Sequence, residues 1–143
     1  MSEKYWDGEN WLTVIVKDNS REYYLNGVKH RKDGPALIWY YYCGDILVEK
    51  YCINGKVHRK NKPAYIEYYK NNIVEREIYY YNGKKHNING PAFIIYYNDD
   101  NIERKEFSFN GIKFEPEYLP FELPIDTEEK RFMFQLKYGD NNV

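Results

Sequence analysis

Apolar and polar side chains alternate along most of this chain, in short runs that end at turn-forming residues. One such run carries Ala64, Ile66 and Tyr68 at every second position. A period of two is typical of a β-strand with one packed face. The runs are also rich in Tyr, Ile, Val and Phe, which pack well on a pleated sheet. The pattern predicts an all-β fold with long strands of about seven to nine residues.

These runs belong to a segment that occurs three times, at a constant spacing of 28 residues. Each copy has an Asn-Gly pair, a histidine, a Pro-Ala pair and a Tyr-Tyr pair in the same order. A fixed period of this length indicates a repeat array rather than an ordinary globular domain. The full copies are residues 23–50, 51–78 and 79–106, and a partial copy covers 107–115. The repeated positions are Asn26, Gly27, His30, Gly34, Pro35 and Ala36, then Asn54, Gly55, His58, Pro63 and Ala64, then Asn82, Gly83, His86, Gly90, Pro91 and Ala92.

Each copy carries the signals of a β-hairpin. An Asn-Gly pair between strand-like runs predicts a type I′ turn, because both residues tolerate the positive φ that this turn requires. The proline of each Pro-Ala pair has no N–H to donate and is expected at the first residue of its strand. A second turn is expected in each copy, at Cys43-Gly44, Asn71-Asn72 and Asp99-Asp100. We therefore expect an elongated, twisted antiparallel meander of repeated hairpins with about eight long strands.

One face of the predicted sheet keeps its chemistry from copy to copy. Ala36, Ile38 and Tyr40 recur as Ala, Ile and Tyr in both later copies, so this face is expected to be the packed one. The opposite face changes between copies and includes Trp39 and Tyr41. This variable face offers aromatic side chains to a partner.

The chain departs from the repeat before the first full copy and after the third. Residues 1–10 are polar and are expected to be irregular, whereas residues 11–17 and 21–25 are predicted to pair as a hairpin. Region 1–22 is interpreted as an N-terminal cap, which an array needs because its end copies have one neighbour each. In the partial copy Phe114 replaces the histidine, and the prolines that follow it oppose further strand pairing.

The tail, residues 116–143, has a helical period. A helix is predicted over about 127–138, with Asp126 as N-cap and Glu129 at the capping-box position, and Gly139 ends it. Its apolar stripe consists of Phe132, Met133 and Leu136, to which Phe134 can be added. Two packings stay open at this point: the stripe covers the last hairpin or sheet edge of its own chain, or it docks on a second chain.

Composition agrees with a single domain of this kind. The 143 residues include 17 tyrosines, whose rings bury a large apolar area although the mean hydropathy is −0.85. A formal net charge of −1 gives no general attraction to nucleic acid or to anionic membranes. The sequence has two cysteines, no signal-like leader and no apolar run near the roughly 20 residues of a membrane span. We therefore expect reduced thiols and an intracellular, cytoplasmic protein.

The sequence offers little candidate chemistry. Histidines one copy apart are expected roughly 10 Å from each other, too far to share one metal ion. We interpret His30, His58 and His86 as structural, each bonding the backbone of its own loop and packing on a neighbouring tyrosine. No serine or cysteine has the pattern of an activated nucleophile, and there is no glycine-rich phosphate loop. The sequence predicts no catalytic residue, metal, cofactor or small-molecule substrate.

The repeated unit resembles a known repeat family. Residues 23–41 read Tyr-Tyr-x-Asn-Gly-x-x-His-Arg-x-x-Gly-Pro-Ala-x-Ile-x-Tyr-Tyr, which is similar to the MORN-type repeat. The unit resembles more closely the His-Arg-x-x-Gly-Pro-Ala variant of arrays encoded by giant viruses of amoebae. The similarity covers about residues 21–114, with Lys62 in place of glycine and Asn87 in place of arginine. It implies an elongated sheet without catalytic residues in a scaffolding protein that is often dimeric, sometimes linked to membrane lipids, and, if viral, located in the host cytoplasm or the virion.

Two functions from different classes are expected. The first is a non-enzymatic scaffold or protein-protein interaction module that self-associates, most simply as a homodimer. Its candidate contacts are Trp39, Tyr41, Tyr69, Tyr97, Phe132, Met133, Phe134 and Leu136. The alternative is a peripheral binder of anionic lipid head groups. Its candidate basic rim consists of Arg31, Lys32, Arg59 and Lys60. Nucleic acid is not an expected partner.

Overall fold

Strands dominate the computed structural model of the chain, which describes residues 1–139. Residues 140–143 of the predicted tail lie outside the described residues. In chain order the strands are β1 (Ser2–Trp6), β2 (Trp11–Lys17), β3 (Ser20–Leu25), β4 (Val28–Lys29), β5 (Leu37–Tyr40), β6 (Ile46–Lys50), β7 (Cys52–Ile53), β8 (Lys56–Val57), β9 (Tyr65–Tyr68), β10 (Val74–Ile78), β11 (Tyr80–Tyr81), β12 (Lys84–Lys85), β13 (Phe93–Tyr96), β14 (Ile102–Phe109) and β15 (Ile112–Phe114). A 3₁₀ turn at Pro116–Tyr118 precedes the helix α1, Glu128–Tyr138.

The main sheet is an antiparallel meander. Its strand order is β1-β2-β3-β5-β6-β9-β10-β13-β14-β15, and β4 pairs with β3. The predicted all-β meander with a C-terminal helix is confirmed. The long strands within the copies are shorter than predicted, with four residues in β5 and five in β6. β6 and β10 end early because the chain leaves the main sheet near Tyr51 and Tyr79 to form the separate hairpins β7–β8 and β11–β12.

The N-terminal region is more regular than its polar sequence suggests. β1 pairs with β2 from Ser2 opposite Ile15 to Trp6 opposite Trp11. The prediction that residues 1–10 are irregular was therefore wrong for β1. Pairing along the edge of β2 satisfies the backbone groups of β1 whatever the polarity of its side chains. The predicted hairpin is confirmed as β2 and β3.

The four Asn-Gly pairs adopt the predicted turn geometry. Asn54 has φ of 48° and Gly55 has φ of 79°, and the other three pairs are closely similar. Positive φ at both central residues is the mark of a type I′ hairpin turn. The turns also link neighbouring hairpins, because Gly55 N–H donates to the carbonyl of Lys29 at 2.9 Å. Gly83 and Gly111 repeat this bond at 2.8 Å, so the short hairpins form a hydrogen-bonded row beside the main sheet.

The apolar core is divided between the N-terminal cap and the C-terminal tail. One cluster contains Leu12, Val14 and Tyr23, under the first hairpin. The second contains Phe109, Phe114, Ile125 and Phe134, between the last hairpin and the tail. In the copies between them, Ala36, Ala64 and Ala92 are fully buried, and Ile66 and Ile94 are 8% exposed. This agrees with the predicted packed face, although Leu37 on the opposite face is buried as well.

Helix α1 packs on its own chain. Phe134 is 2% exposed, and its ring contacts those of Phe109 and Phe114 edge to face, at centroid distances of 5.0 and 5.2 Å. This decides between the two packings that the sequence left open, and Phe134 is part of the core rather than of an interface. The N-cap is Thr127, whose Oγ1 accepts a bond from Lys130 N–H at 3.1 Å, not the predicted Asp126. Within residues 1–139, no helix has the length and apolar character to cross a bilayer.

Candidate interaction surface

Each repeat histidine joins its own hairpin to the next one. Nδ1 of His30 accepts a hydrogen bond from the backbone N–H of Asn54, 3.0 Å away. The same bond recurs at 3.1 Å in the later copies, from Asn82 to His58 and from Asn110 to His86. The prediction that each histidine bonds its own loop was wrong, because the donor lies 24 residues further along the chain. Since Nδ1 accepts, the ring carries its proton on Nε2 and is neutral in this arrangement.

An aromatic stack follows the same row of hairpins. Tyr81 lies between His58 and His86, at ring centroid distances of 4.7 and 5.6 Å. His86 lies 4.8 Å from Phe109, which reaches Phe134 of α1. The predicted packing of a histidine on a tyrosine is thus found for these two histidines. The stack connects the repeat to the C-terminal core.

The first histidine has an acidic neighbour. His30 is 2% exposed, and its Nε2 lies 3.8 Å from Oδ2 of Asp7, whose side chain is fully buried. Asp7 also accepts hydrogen bonds from the backbone N–H groups of Asn10 and Lys32, at 2.8 and 3.2 Å. Asp7 therefore ties the N-terminal turn to the first copy. Sequence reasoning misses this role, and the only local signal is the Asp-Gly pair that Asp7 begins.

The arginine after the histidine is engaged within its own copy. Nη1 of Arg31 donates to the carbonyl of Pro35 at 3.4 Å, and the guanidinium lies 4.1 Å from the ring centroid of Tyr23. Arg59 makes the equivalent two contacts at 3.2 and 3.8 Å. In the third copy, the amide of Asn87 reaches the equivalent carbonyl at 2.9 Å. In each copy, the side chain after the histidine thus bonds the same carbonyl and closes the loop that leads to the next strand.

The candidate basic rim is partly neutralised. Arg31 pairs with Asp33 at 2.8 Å, and Lys32 pairs with Glu9. The second arginine of the rim makes the loop contacts given above, and Lys60 is exposed. Two of the four predicted cations thus have an acidic partner. This geometry gives no support to a continuous surface for lipid head groups.

Two tyrosines of the predicted contact face bond to the following copy. The hydroxyl of Tyr41 donates to the carbonyl of Tyr68 at 2.8 Å, and that of Tyr69 donates to the carbonyl of Tyr96 at 2.9 Å. Both side chains are half-buried. Tyr97, at the same position of the last copy, is 53% exposed. Tyr41 and Tyr69 therefore hold copies together, and Tyr97 is left at the surface.

A second set of tyrosines bonds to carboxylates of the preceding strand. The hydroxyl of Tyr68 donates to Glu49 at 2.8 Å, and that of Tyr96 donates to Glu77 at 2.9 Å. Burial, together with the hydrogen bond to the carboxylate, raises the pKa of both tyrosines. The phenols therefore stay protonated and act as fixed donors between the strands.

The largest apolar side chains left exposed on α1 lie four residues apart. Phe132 is 63% exposed and Leu136 is 62% exposed. This spacing places both on one stripe of the helix, which we call the outer face of α1. Met133 is half-buried beside it, and Trp39 on the sheet is 43% exposed. Of the predicted contacts, Trp39, Tyr97, Phe132 and Leu136 are the ones available to a partner.

Titratable side chains outside these sets are scattered. In the part of the chain that the structure describes, no three His, Cys, Asp or Glu side chains are grouped so that they could hold a metal ion. Cys43 is exposed and Cys52 is buried. Burial raises the pKa of the Cys52 thiol. A buried thiol held in its protonated form is a poor nucleophile.

Comparisons with protein families, with curated proteins and with solved structures found no match to this chain. The resemblance to MORN-type repeats therefore stays a prediction. The fold defines the class as a β-repeat protein with a helical C-terminal cap, and its function has to be inferred from its own geometry.

Proposed function

We propose that this protein is a non-enzymatic scaffold that self-associates through the outer face of α1. The proposal is carried by the exposure of Phe132 and Leu136 on a helix that packs on its own chain through Phe134. Phe134 fixes the helix to the last hairpin, so the outer face has a defined orientation. Aromatic and aliphatic side chains held on a rigid element are effective anchors in protein interfaces.

The charges at the two ends of α1 favour a second copy as the partner. Glu128 and Glu129 are exposed in the first turn of α1, and Lys137 is exposed in the last turn. Two helices that pair antiparallel about a twofold axis would place the acidic end of one beside the basic end of the other. In that arrangement Phe132 of each helix faces Leu136 of its partner. The same face is then complementary to itself.

The edge of the sheet at β14 is a weaker candidate for association. The part of β14 before Phe107 pairs with β13 on one side, and among the described residues it has no strand on the other. That part reads Ile-Glu-Arg-Lys-Glu, with four consecutive charged residues. Charged side chains along an edge oppose the addition of another strand. The helix therefore offers the better surface.

The test is the mass of the full chain in solution as a function of concentration. Light scattering should give about twice the 17.4 kDa of one chain, and the dimer should persist in high salt because its contact is mainly apolar. The double variant Phe132→Ser, Leu136→Ser should return the protein to one chain without loss of fold. Deleting the tail is a poorer test, since it would uncover Phe109 and Phe114.

A matched control is Tyr42→Ser, because Tyr42 is fully exposed on a turn of the sheet. This control should leave the mass unchanged. Wild-type protein that keeps the mass of one chain at concentrations up to about 1 mM would contradict self-association, because a Kd above this corresponds to less than about 4 kcal/mol of binding free energy. A dimer that survives the double variant would place the contact elsewhere.

A further inference from the structure

A cavity of about 340 Å³ lies where the second copy, the third copy and α1 meet. Aromatic and cationic side chains line it together: Tyr79, Tyr81, Phe109, Arg59, Lys60 and Arg131. Volumes of a few hundred Å³ with apolar walls and a few converging polar groups are typical of small-ligand sites. Phe132 and Leu136 of the outer face of α1 do not line this cavity.

The cavity coincides with a departure from the repeat. In the first two copies the guanidinium groups of Arg31 and Arg59 lie over a tyrosine ring of their own copy, at 4.1 and 3.8 Å. The third copy has Asn87 in this place, and its short amide bonds the proline carbonyl. Asn87 cannot reach over the equivalent ring, that of Tyr79, which instead lines the cavity. The space that an arginine fills in the other copies is open here.

The cations around the cavity lack acidic partners. Among residues 1–139, Arg59, Lys60 and Arg131 form no ion pair within 4.0 Å, and none of the described lining residues is a carboxylate. Burial, and then the charge of Arg131, lowers the pKa of His86, which also lines the cavity. Because Nδ1 of His86 is occupied by Asn110 N–H, its Nε2–H is the donor that remains.

We propose that this cavity binds a small anion carried on an aromatic ring, an aryl phosphate or an aryl carboxylate. The ring would pack against the tyrosine and phenylalanine walls, where stacked and edge-to-face contacts are favourable. The anion would accept charge-assisted hydrogen bonds from Arg131 and Arg59, whose planar guanidinium groups suit phosphate and carboxylate. The proposal is independent of self-association.

The experiment is a titration of the full chain with phenyl phosphate, followed by calorimetry and by NMR shifts of the Asn87 and Asn110 amides. Phenyl phosphate should bind saturably and more tightly than inorganic phosphate or phenol alone. Benzoate in place of phenyl phosphate distinguishes a carboxylate ligand from a phosphate ligand. Saturable binding of either aromatic anion supports the site.

Asn87→Arg is the sharpest variant, because it adds a positive charge and also restores the side chain that covers the ring in the other copies. Binding to the cavity predicts that this variant weakens phenyl phosphate binding, whereas general charge attraction predicts a gain. Arg131→Gln should weaken binding about tenfold or more, as expected for the loss of a charge-assisted hydrogen bond. Lys60→Gln, at an exposed position, should weaken it less and leave the fold intact.

The matched control is Arg104→Gln, since Arg104 is exposed on β14 and does not line the cavity. It should leave binding unchanged. The proposal would be overturned if Arg104→Gln and Arg131→Gln lost equal affinity, or if Asn87→Arg bound phenyl phosphate more tightly. It would also be overturned if neither aromatic anion bound saturably at millimolar concentration. If inorganic phosphate binds as tightly as phenyl phosphate, the claim that the ring of the ligand packs in the cavity would be overturned.

Discussion

The backbone N–H of Asn54 has its acceptor in the imidazole of His30, a residue of the preceding copy. The hydroxyl of Tyr41 likewise satisfies the carbonyl of Tyr68, a residue of the following copy. Side chains that look like features of one repeat therefore act at the junction between two. Each such bond satisfies a backbone group at a turn or strand end, where no neighbouring strand supplies a partner.

The burial of His86 should make the stability of the protein depend on pH. Burial lowers the pKa of His86 in the folded chain, so the unfolded state takes up the proton first, near its ordinary pKa of about 6.5. The contribution of His86 to stability is complete above that pH and is lost as pH falls through the lower, folded-state pKa. Urea unfolding at pH 7.5 and pH 5 should therefore show a loss of stability on acidification.

His86→Asn separates this effect from the titration of other groups. The amide oxygen of asparagine lies at a position similar to Nδ1 and can accept from Asn110 N–H, but it does not titrate. The variant should lose less stability than the wild type between pH 7.5 and pH 5. Equal losses in the two proteins would show that His86 does not contribute to the pH dependence.

At the scale of elements, α1 carries two apolar stripes. Phe134 and Tyr138 form the inner one and pack together at 4.8 Å between ring centroids, whereas Phe132 and Leu136 form the outer one. Both pairs have a spacing of four residues, which fits the helical period equally well. Periodicity therefore predicts the helix but not its packed side. The contact with Phe109 and Phe114 decides that.

Substitution of the two stripes should have different consequences for stability. Phe134→Ala removes a side chain that is 2% exposed in an aromatic cluster and should cost about 3–5 kcal/mol in free energy of unfolding. Phe132→Ala, at 63% exposure, should change it by less than about 0.5 kcal/mol in the single chain at low concentration. Chemical denaturation of both variants measures the difference. Similar costs would contradict the assignment of Phe134 to a buried face of α1 and of Phe132 to an exposed one.

At the scale of the whole molecule, the two apolar clusters close the array and the copies between them repeat one set of contacts. Tyr51 N–H donates to Ala64 carbonyl at 2.8 Å, and Tyr79 repeats the bond with Ala92 at the same distance. Between copies, the side-chain bonds of the repeat histidines and tyrosines join each copy to the next one. Stability in such arrays is close to a sum of terms for copies and junctions.

This organisation predicts that one copy can be removed. Deletion of residues 51–78 joins Lys50 to Tyr79, which is equivalent to Tyr51, and brings Asn82 into the position of Asn54 opposite His30. The shortened protein should fold cooperatively with both apolar clusters intact. Circular dichroism and thermal unfolding measure this.

The matched control is the deletion of residues 51–64, half a copy, which joins Lys50 to Tyr65. These two residues lie opposite each other in the antiparallel pair β6 and β9, so the junction leaves no residues for a turn. This control should fail to fold cooperatively. If both deletions behave alike, the copies are not exchangeable units of the sheet.

Most of the fold was predictable because its signals are local. Type I′ turns depend on the two residues of each Asn-Gly pair, and antiparallel pairing follows when short turns connect strand-like runs. The candidate sites were less predictable. The sequence does not show that the guanidinium groups of Arg31 and Arg59 each contact a carbonyl and a ring of their own copy. β1 was missed because edge pairing leaves no hydrophobic signature.

The sequence by itself determined the period of 28 residues, the turns, the meander and the existence of a C-terminal helix. Only the tertiary structure decided which face of α1 is buried, which copy each histidine serves, and that Asn87 and Arg131 border one cavity. The physical reason is the range of the interactions. Backbone conformation and alternation are set by neighbours in the chain, whereas burial and side-chain partners depend on residues that only the packing of copies and tail brings together.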